Sequence, residues 1–248
     1  MRAANRLVAQ VLEALESAVA PGVTTADLDA AAERMVRDGG AVPAFKGYRG
    51  FPATLCTSVN TQVVHGIPSP KVVLADGDIV SIDIGVKLDG FYGDSAVTVP
   101  VGVVPARTQE LLKVTRESLE RGIAEVKVGG RLSDVSHAVQ KWVEAHGFSV
   151  VREFVGHGIG EQLHEEPPIP NFGQPGRGPK LAVGMVLAIE PMVAMGRPEV
   201  KVLGDGWTAV TKDGSLAAHF EHTVAVSEDG PLILTARTVS AGVVAAAR

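Results

Sequence analysis

The chain has 248 residues, 46% of them apolar and 21% charged, which is ordinary globular usage and excludes a disordered or fibrous protein. Its net charge of −5 comes without any basic run, which argues against specific nucleic-acid binding because phosphate contacts need clustered Lys and Arg. Cys56 is the only cysteine, so no intramolecular disulfide can form and a reducing compartment, the cytoplasm, is expected.

The first 19 residues place Leu7, Val8, Val11, Leu12, Leu15 and Val19 at helical spacing between polar residues, which predicts an amphipathic helix rather than a signal peptide. No segment approaches the ~20 apolar residues of a membrane span, so no membrane association is expected. Gly22 to Gly40 then reads GVTTADLDAAAERMVRDGG: a glycine turn, a Ser/Thr N-cap and a helix that stops at glycine.

From Asp78 to Lys87 the chain alternates. Val80, Ile82, Ile84 and Val86 share one face of a strand, with Ser81, Asp83 and Gly85 on the other. Asp89-Gly90 is a two-residue hairpin signal, and strand-like Phe91 to Val99 follows. With that turn Gly85 pairs with Asp94, making Asp94 a diagonal neighbour of Asp83, roughly 7–8 Å away at the backbone. Two such carboxylates repel unless a cation lies between them. This hairpin alone is equally compatible with a solvated sheet face.

The second half repeats the first. Gly129 to Gly147 reads GGRLSDVSHAVQKWVEAHG, aligned with Gly22 to Gly40, and LAVGMVLAIE from Leu181 aligns with LADGDIVSID from Leu74; both matches have an offset of 107 residues. Asp83 falls opposite Glu190, and the strand HTVAV after Glu221 echoes SAVTV after Asp94. The expected architecture is α+β: two pseudo-symmetric halves, residues 1–105 and 106–248, forming a single domain with helices outside a curved antiparallel sheet.

Glu190 ends the apolar run MVLAIE before Pro191, and Glu221 lies in AHFEHTVAV, read as one strand; acidic residues there are poor core residues. His157 lies in VGHGIGEQLHEEP, flanked by glycines that would let the backbone approach an occupied site, with His164 seven residues on. Four carboxylates and one histidine form an oxygen-rich set suited to two divalent ions such as Co, Mn, Fe(II) or Zn, and such ions make water nucleophilic near neutral pH. The chemistry implied is hydrolysis.

At these residues the sequence resembles the type I methionine aminopeptidases, in their short bacterial form, which share the pita-bread fold with prolidases and proline-specific aminopeptidases. The resemblance rests on VNTQVVHGIP around His65, SIDIGVKLDGFYGD, GHGIGEQLHEEP, AIEPM and FEHTV. It implies that Asp94 and Glu221 bridge two metal ions, that Asp83 completes one site, and that His157 and Glu190 complete the other. It implies further that His65 and His164 contact the substrate and the developing oxyanion, that Glu190 moves protons, and that Tyr48, Phe51, Cys56, His65 and Trp207 form a methionine pocket. The implied substrates are the N-termini of nascent polypeptides with a small second residue, met at the ribosome by a monomeric enzyme.

Phe45 and Leu163 depart from the family pattern, where a smaller residue and an aromatic are usual, and so alter the expected pocket shape. The resemblance covers the catalytic unit, without the zinc-binding extension or helical insertion of longer relatives. A proline-directed peptidase would use the same five ligands, and a binding module derived from this fold would have lost some of them; all five are present.

Overall fold

The computed structural model describes residues 1–237. Residues 238–248, which the single-domain expectation includes, lie outside them. Among the described residues there are four α-helices: α1 (Arg2–Ala18), α2 (Thr25–Asp38), α3 (Ala106–Ala124) and α4 (Leu132–Ala145). None is long and apolar enough to cross a membrane.

The apolar stripe of α1 is buried as its spacing requires, with Val8, Val11, Leu12 and Leu15 packed into the main core and Leu7 and Val19 at its edge. Each fully buried aliphatic side chain contributes about 1.5–3 kcal/mol. The start of α2 is a capping box: Asp27 N–H donates to Thr24 Oγ1 at 3.1 Å, and Thr24 N–H donates to Asp27 Oδ2 at 3.0 Å.

The matching start of α4 differs from the expectation of a Ser or Thr cap. Arg131 is the N-cap, and its guanidinium has no acceptor atom. Only the reciprocal half survives, with Arg131 N–H donating to Asp134 Oδ2 at 2.9 Å. Ser133 instead bonds the 177 loop, its hydroxyl donating to Arg177 O at 2.9 Å.

The repeat is written into the backbone. Gly22 N–H donates to Leu74 O and Gly129 N–H to Leu181 O, both at 2.8 Å, and the isolated bridges Thr24–Val73 and Arg131–Lys180 keep the same offset. Gly40 and Gly147, which end α2 and α4, have φ of 72° and 71°. Glycine takes that left-handed conformation without the steric cost that a Cβ brings.

All strand pairings among the described residues are antiparallel, and they group into four hydrogen-bonded sheets. The sheet of the first half is built on strand Ile79–Leu88, paired with Phe91–Pro100 and Leu55–Val59. The largest sheet of the second half is built on Val186–Ile189, paired with His222–Ser227 and Gly156–Gly158.

The halves meet where Phe91–Pro100 runs beside residues 217–223. The seam is held largely by buried hydroxyls. Ser95 Oγ donates to Glu221 O at 2.6 Å, Thr98 Oγ1 to His219 O at 2.8 Å and Thr223 Oγ1 to Asp94 O at 2.7 Å. Along this seam one direct backbone bond, Glu221 N–H to Ala96 O at 2.9 Å, links the two segments. This seam brings the strand positions of Asp94 and Glu221 together.

Candidate metal centre

The hairpin of the first half forms as its turn chemistry dictates. Asp89 and Gly90 have φ of 51° and 83°, the left-handed pair of a two-residue turn whose twist matches the strands. Gly85 pairs with Asp94 and Asp83 with Ala96, so the two aspartates are diagonal neighbours. The face they share is not solvated: Ser81 and Asp94 are buried, and Asp83 opens only into a cavity.

In the second half the strand expected through Glu221 is broken. Ala217–His219 belongs to one sheet and His222–Ser227 to another, and the partner chain breaks between Ile189 and Met192. The flanking ladders pair Ile189 with His222 and Met192 with His219, so Glu190 and Glu221 face each other across the break. Pro191 cannot donate to a ladder, and the chain there turns both carboxylates toward the cavity.

His157 is in the short strand Gly156–Gly158, beside Ala188. Its flanking glycines do not make room for a ligand. A Cβ on Gly156 would lie 2.3 Å from Ala188 O, and one on Gly158 would lie 2.2 Å from Glu166 O, so the glycines admit the neighbouring strands instead. The His157 Nδ1 lies 2.9 Å from Gly158 O, an acceptor, which places the ring proton on Nδ1. Nε2 then turns a lone pair toward Asp94 Oδ2 at 3.9 Å and Glu190 Oε1 at 3.7 Å.

Ligand atoms of Asp94, His157 and Glu221 all lie within 4.8 Å of one another. Burial pushes the carboxyls of Asp83 and Glu190 up to about 7, and those of Asp94 and Glu221 well above the carboxylate range, where neighbouring carboxylates add to the effect. Oδ1 of Asp83 and Oδ1 of Asp94 are buried without a hydrogen-bond partner. A lone pair aimed at crowded, unpartnered carboxylates is unfavourable by itself and suits a divalent cation. The donor set fits a metal.

A cavity of about 210 Å³ opens over this cluster. On one side His164 stacks on Tyr48, with ring centroids 5.2 Å apart, and its Nδ1 lies 3.0 Å from the Tyr48 hydroxyl. Its ring centroid is 4.2 Å from that of His157. Burial, reinforced by His157, lowers the His164 imidazole to about 4, so it is neutral at pH 7. On the other side Trp207 meets Phe51 edge to face at 5.2 Å, and Phe154 meets His65 in the same way at 5.3 Å.

His65 has φ of 59°, an uncommon backbone conformation of the kind that concentrates at functional sites. Burial lowers its imidazole to about 4 as well. Cys56 is a buried free thiol, pushed up by burial and by the neighbouring acids, and it stays protonated. All eleven site residues singled out from the sequence line this one cavity, together with Phe45 and Leu163.

A model of metallopeptidase family M24 matches residues 1–228. The chain belongs to metallopeptidase family M24. Within that family it is 56% identical over 235 residues to methionine aminopeptidase 1 of Bacillus subtilis (strain 168), covering 95% of this chain and 94% of the relative. The crystal structure of methionine aminopeptidase from Thermotoga maritima superposes with a TM-score of 0.94 at 50% identity, covering 95% of this chain and 94% of that one. Prolidase from Pyrococcus furiosus shares the fold alone: TM-score 0.74, 22% identity, 96% of this chain and 63% of that one. The pita-bread architecture expected from the sequence is the one this M24 chain has.

Several residues of this M24 site escaped the sequence reading. His219 is 1% exposed, with Nε2 lying 3.5 Å from Glu190 Oε2. Its place two residues before Glu221 was the available signal. Met192, two residues after Glu190, lines the cavity. Phe154 and Arg49 also line it from irregular segments, where no periodicity marks a facing side.

Proposed function

We propose that the chain is an N-terminal methionine-excising aminopeptidase that uses two divalent ions and acts on polypeptides whose second residue is small. The observation that carries this reading is the convergence of four carboxylates, Asp94 and Glu221 of them buried, and the Nε2 lone pair of His157 at the floor of a cavity with apolar walls. The relatives named methionine aminopeptidase support the substrate, and the family supports metal dependence.

Asp94 and Glu221 would each serve both ions, Asp83 would complete one site, and His157 with Glu190 would complete the other. Co, Mn, Fe(II) and Zn all suit such oxygen and imidazole donors. When bound, the ions supply a nucleophilic water near neutral pH and a Lewis acid for the scissile carbonyl. Glu190, which reaches the cavity, is suited to take a proton from the attacking water and return it to the leaving amine.

The Tyr48 hydroxyl, donating to His164 Nδ1, leaves Nε2–H as a donor for the developing oxyanion. His65, on the opposite wall, meets the substrate backbone. Tyr48, Phe51, Cys56, His65 and Trp207 form a pocket whose aromatic rings and protonated thiol accept a flexible thioether, whereas a charged side chain would lose its hydration there. Nascent chains in the cytoplasm, met at the ribosome, are the proposed substrates, and the monomer is the proposed working form. The single unpaired cysteine agrees with a reducing compartment.

With the substrate amine near the metals and its first side chain in this pocket, the second residue passes close to the site wall. A displacement of ~1 Å there costs about 10²-fold in rate. The test is hydrolysis of Met-Ala-Ser, Met-Arg-Ser and Ala-Pro peptides by metal-loaded protein. Met-Ala-Ser is cleaved, Met-Arg-Ser at least about 10²-fold more slowly, and Ala-Pro is left intact. Comparable rates on the two methionine peptides, or preference for Ala-Pro, would refute the reading.

A further inference from the structure

Trp207 reaches the cavity from an unusual support. It follows the tip of a hairpin in which Val200–Val202 pairs with Ala209–Thr211, and that second strand pairs in turn with Gln62–Val64, the strand before His65. Residues 201–206 are all exposed, Val202 and Leu203 among them. The tip therefore gains little from apolar burial, and hydrogen bonds are left to fix its geometry.

Those bonds converge on one carboxylate. Asp205 Oδ1 accepts from the backbone N–H of Trp207 and of Thr208, both at 2.9 Å, and Oδ2 accepts from the Thr208 hydroxyl at 2.6 Å. Leu203 N–H to Thr208 O, at 2.9 Å, closes the loop behind them. Asp205 itself does not line the cavity, but Trp207 does. The indole, held in this way, lies edge to face with Phe51 at 5.2 Å and with His65 at 6.4 Å.

We propose that Asp205 is a positioning residue that sets the shape of the side-chain pocket by fixing Trp207 at its mouth. This rests on reading that pocket as the site of the substrate's first side chain. The function follows from the turn: the aspartate bonds its own backbone two and three residues on, and without it the Trp207 backbone loses the acceptor that aims the ring. An asparagine can keep the same bonds, because its amide oxygen accepts from both N–H groups and its amide nitrogen can donate to the Thr208 hydroxyl.

The test compares Asp205→Ala, Asp205→Asn and Trp207→Ala in the metal-loaded full chain. Trp142 is the only other tryptophan, so Trp142→Phe as background leaves Trp207 as the sole emitter. Asp205→Ala should raise KM for Met-Ala-Ser about tenfold, the worth of one hydrogen bond to a charged group, with kcat little changed. Trp207 anisotropy should fall together with discrimination between methionine and alanine at the first position. Asp205→Asn should restore all three. An Asp205→Ala protein with wild-type KM and anisotropy, beside an impaired Trp207→Ala, would overturn the role of Asp205 alone. So would a raised KM with unchanged Trp207 emission. A Trp207→Ala protein with wild-type side-chain selection would overturn the pocket reading, and the inference with it.

Discussion

Asp94 and His164 differ in a way that mutation can separate. Asp94 is buried, has an unpartnered Oδ1, and faces His157 of the second half. Asp94→Asn keeps the shape but removes the charge, so bound metal and turnover should fall together; metal analysis of the purified variant checks this, and two retained ions at normal rates would contradict it. His164, neutral and oriented by Tyr48, is a donor rather than a ligand in this account. His164→Ala should keep its metal and lose about 10²–10³ in kcat, equal to roughly 2.7–4 kcal/mol of transition-state stabilisation. The carboxylates were legible in the sequence through their settings, such as acids ending apolar strands, and His65, His157 and His164 chiefly through the family motifs. His219 was not, because one histidine on a strand looks the same whether it packs in a core or backs Glu190.

At the scale of elements, the first hairpin could be read to the residue, since Asp89-Gly90 fixes the turn and the turn fixes the register. The second could not. The break at Glu190 and Glu221 depends on which sheet each flanking segment joins, a tertiary outcome that leaves only Pro191 as a local trace. The seam between the halves was also hidden, because buried Ser and Thr read from sequence as ordinary strand residues. Thr223→Val tests it with little change of volume. The variant loses the bond from Thr223 Oγ1 to Asp94 O and the acceptor for Asp94 N–H, leaving buried backbone groups unpaired. Stability to urea should fall by about 1–3 kcal/mol, with weaker metal binding because Asp94 is a proposed ligand. Unchanged stability and affinity would remove the seam's proposed part in holding the centre.

Over the whole molecule, the offset of 107 residues was visible in sequence and recurs in the caps, the bridges and the glycine turns. Duplication explains why each half brings two acids to the seam. Concentrating them there makes the metal-free protein sensitive to pH. Asp83 and Glu190 are raised to about 7 in the folded chain, against an unfolded value near 4, so their contribution is fully present below the unfolded value and is lost as pH rises through the folded one. Most of that loss lies below pH 7; above it Asp94 and Glu221, held well above the carboxylate range, keep protons that the unfolded chain does not, while the lowered histidines are neutral in both states. The thermal midpoint of chelator-treated protein should therefore fall with rising pH, while metal-loaded protein changes little; a flat or rising midpoint without metal would contradict the electrostatic account. The most direct test of the central claim follows bound Mn(II) and free methionine released from Met-Ala-Ser in the same samples as stripped protein is titrated with metal. No release is expected without metal, and release should rise as the site fills to two ions per chain. Release from protein holding no ion, or two bound ions with no release, would contradict it.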